Sequence, residues 1–149
     1  MATAQSRAQV TWEGDLPTGN GLLKAESGAL PEMPISWASR TQRAKGKTSP
    51  EELLASAHAG CYAMALSNTL AKQGTPPARL DISATCTFDF GGPAGAKITS
   101  MELVVRGVVP GLDQQGFEEA ARKGEQGCPV SNALRNNVDI SVKAELVRG

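Results

Sequence analysis

The feature that most constrains this chain is a helix start at Ser49-Pro50-Glu51-Glu52, followed by an apolar run that continues past Leu70. Ser49 can accept a hydrogen bond from an otherwise unpaired backbone N–H, and Pro50 lacks the N–H that the first helical position leaves unused. Glu51 and Glu52 lie at the positive end of the helix dipole, and Ser49 and Glu52 have the spacing of a capping box. Leu53, Leu54, Ala57, Cys61, Met64, Ala65 and Leu70 carry the run to Gly74, Pro76 and Pro77, where it must stop. The predicted helix covers 49–73 and is long for a small domain. Ser56, His58, Ser67 and Asn68 interrupt its apolar character, so it reads as a core helix and not a membrane span. Its middle is rich in Ala, Gly and Ser, which lets other backbone approach closely, as expected of a helix enclosed by sheet or by a partner chain.

The flanks read as mostly extended. Gln9-Val10-Thr11-Trp12, the turn formers of 15–21 and Leu22-Leu23-Lys24-Ala25 predict a hairpin, and 31–48 lacks any sustained period and predicts an ordered but irregular loop. Beyond the helix, Ile82, Ala84, Cys86, Phe88 and Phe90 alternate with polar residues, as do Met101, Leu103 and Val105 after the Gly91-Gly92-Pro93 turn. Asp113 can cap a short helix carrying Phe117, Ala120 and Ala121 that stops near Gly124, and Cys128-Pro129 opens another helical turn toward Leu134. Val138, Ile140, Val142, Ala144 and Leu146 form the last strand. The order is N-terminal hairpin and loop (1–48), central helix (49–73), then strands and short helices (79–147). It lacks the β-α-β alternation of a doubly wound sheet, so the class is α+β, within one domain of 149 residues and without internal repeats.

Composition narrows the partners. The 15 basic and 15 acidic side chains cancel without a one-signed stretch, which argues against nucleic acid and membrane surfaces as partners and for a small neutral substrate. Three cysteines, an odd and widely spaced set with no signal peptide before them, point to a reducing compartment, with the cytoplasm as the default, and not to a secreted disulfide framework.

Those cysteines differ. Cys86 is in phase with the core-facing residues of its strand, so packing explains it. Cys61 lies on the small-residue face of the long helix, where packing and chemistry are both open. Gly127-Cys128-Pro129 places a sulfur at a helix start, where the dipole favours a thiolate and a plain cap is the alternative. His58 precedes Cys61 by one helical turn, but one histidine without Cys-x-x-Cys spacing is too little for a zinc site, and a buried, hydrogen-bonded role suits it better. A Cys–His dyad for acyl transfer stays open. No glycine-rich phosphate loop supports nucleotide chemistry.

Ser49-Pro50-Glu51-Glu52-Leu53-Leu54-Ala55-Ser56-Ala57-His58-Ala59-Gly60-Cys61 closely resembles the central helix of the OsmC/Ohr family, the osmotically inducible and organic-hydroperoxide-resistance proteins. Trp12-Glu13-Gly14-Asp15, Glu26-Ser27-Gly28, Val109-Pro110-Gly111-Leu112-Asp113 and Gly127-Cys128-Pro129-Val130-Ser131 extend the resemblance over nearly the whole chain. The His-Ala-Gly-Cys form and the early Trp-Glu-Gly look like the OsmC branch. The resemblance implies antiparallel sheets wrapped around a long central helix, in an intertwined homodimer with active sites at the subunit interface. It implies a thiol-dependent peroxidase with no cofactor beyond an external thiol or dithiol reductant. Cys61 would be the peroxidatic cysteine, Cys128 the resolving cysteine, Glu51 the active-site carboxylate and Arg40 the arginine that activates the thiol, with Arg43 three residues on as its competitor. A non-catalytic redox-sensing or ligand-binding stress protein on the same fold is the alternative.

The chemistry is demanding. A cysteine of pKa about 8.5 is only a few per cent thiolate at neutral pH, and burial lowers that fraction. Lowering the pKa by about 2.5 units takes roughly 3.4 kcal/mol, which is what one arginine about 4 Å away supplies at an effective dielectric near 20. Ten helical residues rise about 15 Å, so Glu51 is expected to orient an arginine beside the Cys61 of the other subunit. Leu53, Leu54 and Met64 are expected to give an apolar surround suited to organic hydroperoxides.

Overall fold

The computed structural model describes residues 1–43 and 45–149, which divide into two compact units, Met1–Leu53 and Leu54–Gly149. In the first, β1 (Ala8–Glu13) pairs antiparallel with β2 (Asn20–Ala25), and β3 (Met33–Ile35) pairs antiparallel with β2 in the order β1-β2-β3. The turn is set by Asp15, whose Oδ1 accepts from the backbone N–H of Thr18 at 3.0 Å and from its hydroxyl. Trp12 lies opposite Gly21 in the register. A Cβ at Gly21 would fall 2.9 Å from the indole Cε3 and 2.7 Å from Cγ1 of Ile35, so only glycine admits both side chains there.

Within 31–43 the chain holds more regular secondary structure than the irregular loop expected. It holds β3 and the five-residue helix α1 (Trp37–Thr41). The α1 entry is a reciprocal box in which Ser39 N–H donates to Ser36 Oγ (3.1 Å) and Ser36 N–H donates to Ser39 Oγ (2.9 Å). Ser39 Oγ also donates to the Thr48 carbonyl at 2.9 Å, tying α1 to the residues just before the long helix. Neither element is long enough to show a period, and a serine in place of Glu or Gln hides the box.

The long helix α2 (Pro50–Lys72) begins in the first unit and continues through the second. Its start is as expected: Glu52 N–H donates to Ser49 Oγ at 3.1 Å, and Leu53 N–H to the Ser49 carbonyl at 3.1 Å. It ends where Gly74 takes the left-handed conformation, φ +84°.

In the second unit, β4 (Arg79–Asp89) and β5 (Lys97–Val108) form an antiparallel ladder with an irregularity at Thr87/Phe88. The last strand, β6 (Asp139–Leu146), runs parallel to β5, which corrects the expectation of purely antiparallel sheets. The reason is the intervening helical segment, α3 (Gln114–Gln126) and α4 (Pro129–Leu134), because only a long crossover can return the chain in the same direction. The core joins Tyr62, Leu66 and Leu70 of α2, Leu103 and Val105 of β5, Phe117, Ala120 and Ala121 of α3, and Cys128. Cys86 packs in a smaller cluster with Met101 and Val138, as its strand phase predicts.

Two bare Cα atoms permit this packing. The Phe117 ring lies directly on Gly107 of β5, where any side chain would collide with it. Gly124 meets Leu66 so closely that a Cβ would sit 3.0 Å from the Leu66 Cα. The α3 helix therefore does not stop near Gly124. It runs to Gln126 with Gly127 as its C-cap, and Gly124 is where α3 presses against α2.

Candidate active site

Two constellations stand out, one in each unit. In the first, α1 carries Arg40 in its last turn and the first turn of α2 carries Glu51. Arg40 Nε donates to Glu51 Oε1 at 2.8 Å, and its Nη2 lies 2.7 Å from the same oxygen. Glu51 is only 2 % exposed, and its Oε2 has no hydrogen-bond partner among the described residues. The Arg40 guanidinium also lies 6.0 Å from the centre of the Trp37 ring. Between the two candidate arginines, Arg40 is the one paired with Glu51, whereas Arg43 is exposed on a left-handed backbone, φ 55°.

In the second unit, Cys61 of α2 is half-buried and Cys128, the N-cap of α4, is fully buried. The Cys128 side chain makes a hydrogen-bonding contact with the Cys61 sulfur, and the backbone N–H of Val130 in the first turn of α4 also points at that sulfur. Burial pushes the Cys61 thiol above its ordinary range; the Val130 N–H opposes this, and the Cys128 side chain adds to it. The first turn of α4 thus serves Cys61, although the sequence suggested that it would serve Cys128.

His58 is fully buried, and its Nε2 lies 2.7 Å from Ser131 Oγ of α4. Its Nδ1 has no hydrogen-bond partner among the described residues. Burial lowers the pKa of the ring, and the Glu125 carboxylate partly opposes the shift. The structure therefore gives His58 the buried, hydrogen-bonded role its helix position suggested, and the Cys–His dyad of an acyl-transfer enzyme is not formed. Among the described residues no group of three or more His, Cys, Asp or Glu could hold a metal ion, and no helix is long and apolar enough to cross a membrane.

Residues 43–143 match the family described as OsmC-like protein. Across 93% of this chain, and 95% of the relative, the sequence is 38% identical to peroxiredoxin OsmC of Escherichia coli strain K12.

The chain belongs to the OsmC-like family.

A second relative is the organic hydroperoxide resistance protein of Xanthomonas axonopodis pv. citri, 32% identical over 64% of this chain and 65% of its own length. The fold agrees. The crystal structure of the organic hydroperoxide resistance protein OhrB of Bacillus subtilis superposes with a TM-score of 0.70 at 28% identity, covering 95% of this chain and 98% of that one.

Several residues around this OsmC-like cysteine pair carry no motif and were not singled out in the sequence. Tyr62, next to Cys61, turns inward and donates to the Ala121 carbonyl at 3.0 Å. Burial and the nearby Glu125 and Cys128 push its phenol far above the ordinary range. Arg135 Nη2 donates to the Glu125 carboxylate at 2.7 Å, bracketing the segment that holds Cys128. Only the ion-pair chemistry of Glu and Arg could have hinted at this, and neither spacing nor period selects the pair. Of Leu53, Leu54 and Met64, within one chain Leu54 packs with the Cys86 cluster and Met64 is 72% exposed.

Proposed function

We propose that this chain is a thiol-dependent peroxidase that reduces hydroperoxides through Cys61 and Cys128. The observation that carries the reading is the contact between these two side chains, a half-buried thiol against a fully buried one. The related proteins named for peroxiredoxin activity and organic hydroperoxide resistance support it.

The Cys61 thiolate attacks one oxygen of the hydroperoxide. An S–O bond forms, the O–O bond breaks, and the alcohol leaves with a proton, so Cys61 becomes a sulfenic acid. The Cys128 sulfur then attacks the Cys61 sulfur; the S–S bond forms, the S–O bond breaks, and water departs. A disulfide needs its two Cα atoms within about 4.4–6.8 Å, and the contact between the two side chains supports such an approach. An external dithiol returns both cysteines to the thiol state by exchange and is itself oxidised to a disulfide. Each cycle moves two electrons and requires no metal or organic cofactor. Organic hydroperoxides are the preferred substrates in this reading, which the relative named for organic hydroperoxide resistance supports.

Because burial alone works against ionisation, the thiolate needs a cation. We assign that task to Arg40, oriented by Glu51. Their separation from Cys61 along α2 makes the partner chain's Cys61 the natural target, which calls for a homodimer with its active sites at the interface. A reducing cytoplasm would supply the dithiol.

The test is consumption of an organic hydroperoxide with a dithiol present, comparing the wild type with Cys61→Ser and Cys128→Ser. Many turnovers per chain are expected for the wild type and none for Cys61→Ser. Cys128→Ser should reduce one equivalent and stall as a sulfenic acid unless a thiol rescues it. Turnover that survives Cys61→Ser would overturn the assignment.

A further inference from the structure

Two of the contacts between α2 and the segment of Cys128 and α4 share one spacing. On α2, His58 and Cys61 are three residues apart and occupy the same face. On the other side, Ser131 follows Cys128 by the same three residues. His58 Nε2 meets Ser131 Oγ at 2.7 Å, and Cys61 meets Cys128. The partners run in opposite order, so the histidine–serine contact lies one helical turn from the sulfur pair and shares its register.

The α4 helix has little to hold it by itself. It is six residues long, Cys128 makes no side-chain capping bond to it, and a helix this short has no stability of its own. Its position must come from tertiary anchors. At its far end, Arg135 reaches the Glu125 carboxylate. Val130 and Leu134 add apolar packing, and the side-chain hydrogen bond across to α2 is Ser131 on His58, both fully excluded from solvent.

We propose that His58, acting through Ser131, is a positioning residue for the resolving step: it holds α4 so that the Cys128 sulfur stays against the Cys61 sulfur. This rests on the reading of Cys61 as peroxidatic and Cys128 as resolving. Its consequence is selective. Attack of Cys61 on the hydroperoxide draws on α4 through the Val130 N–H at its sulfur, whereas condensation of the sulfenic acid with Cys128 needs the second sulfur itself in register. Loss of the contact therefore prolongs the sulfenic acid and lets a second hydroperoxide oxidise it to sulfinic acid, with the hydroperoxide reduced to alcohol.

Ser131→Ala and His58→Phe both remove the hydrogen bond, and His58→Gln restores a donor near the Nε2 position. Pre-reduced wild type and variants are mixed with cumene hydroperoxide, and sulfenic acid formation, disulfide formation and the sulfinic acid fraction are followed by rapid quenching and intact-mass analysis. We expect Ser131→Ala and His58→Phe to slow disulfide formation by about fivefold or more, the factor that one net hydrogen bond is worth. The first step, which loses at most part of the Val130 N–H contact, should slow by a clearly smaller factor, the sulfinic acid fraction should rise, and His58→Gln should recover much of the loss. If His58→Phe fails to fold, the smaller change Ser131→Ala decides. Wild-type condensation rates in Ser131→Ala, or an equal slowing of both steps, would overturn the positioning role while leaving the peroxidase reading intact. A wild type that never forms a Cys61 sulfenic acid would overturn both.

A separate arm reads the geometry without peroxide. In a dithiothreitol redox buffer, the equilibrium constant for closing the Cys61–Cys128 disulfide should fall by about the same factor in Ser131→Ala. An unchanged constant there counts against the proposal whatever the peroxidase activity is.

Discussion

Removing Arg40 strips the buried Glu51 carboxylate of the cation it pairs with. Breaking a buried ion pair from one side costs about 3–5 kcal/mol when both partners are enclosed, whereas exposed pairs are worth about 0.2–1 kcal/mol. The Arg40 side chain is 30% exposed and that of Glu51 2%, so Arg40→Ala is expected to cost about 2–3 kcal/mol. Glu51→Gln keeps the shape, removes the charge and leaves an arginine that still reaches water, for a loss of about 1 kcal/mol. In the double variant there is no charge to strand, and its loss should be only about 1–1.5 kcal/mol, well short of the sum of the two single losses. With a urea slope of about 2 kcal/mol/M, Arg40→Ala lowers the midpoint by a little over 1 M, and adding Glu51→Gln raises it again. The assay is urea unfolding followed by circular dichroism at one fixed protein concentration, because self-association would contribute to stability. If the double variant is less stable than Arg40→Ala alone, Glu51 is not held against its desolvation by Arg40, and the reasoning fails.

Three further outcomes follow from the packing. Gly124→Ala should destabilise by about 1 kcal/mol net, because overpacking against the Leu66 backbone outweighs the roughly 1 kcal/mol that alanine contributes to a helix; a raised melting temperature would contradict the close approach. Burial holds the His58 pKa below its ordinary 6.5, so below that pH the unfolded chain takes up a proton that the folded one resists. Stability is then full above about pH 6.5 and lost as pH falls, and His58→Phe should lose less than the wild type between pH 7 and pH 5, measured by urea midpoints; parallel losses would refute this. Cys86→Ala should cost about 1 kcal/mol through its small cluster while leaving hydroperoxide turnover and the mass-mapped Cys61–Cys128 disulfide unchanged.

Much of the molecule was written locally. The entry to α2 depends on Ser49, Pro50 and the two glutamates, all within one turn, and the faces of β4 and β6 follow from alternation that any window of six residues reveals. The Cys61–Cys128 contact and the Arg40–Glu51 pair join residues that the motifs and the resemblance had singled out. Physical chemistry alone would have left Cys61 ambiguous, since a small thiol on a helix face packs as well as it reacts.

What only the fold decided are the relations between distant segments. The parallel setting of β6 depends on how the crossover from β5 is routed, and α1 depends on a serine box that reaches the Thr48 carbonyl. Of Arg40 and Arg43, Arg40 is the one that meets the Glu51 carboxylate, a distinction that their spacing does not contain. His58 and Ser131 are 73 residues apart in the chain, and no periodicity links them. Local sequence specifies hydrogen bonds within a turn and faces along an element; which faces then meet is settled by the single packing that buries Tyr62, Leu66 and Phe117 together, and that packing brings the two sulfurs into contact.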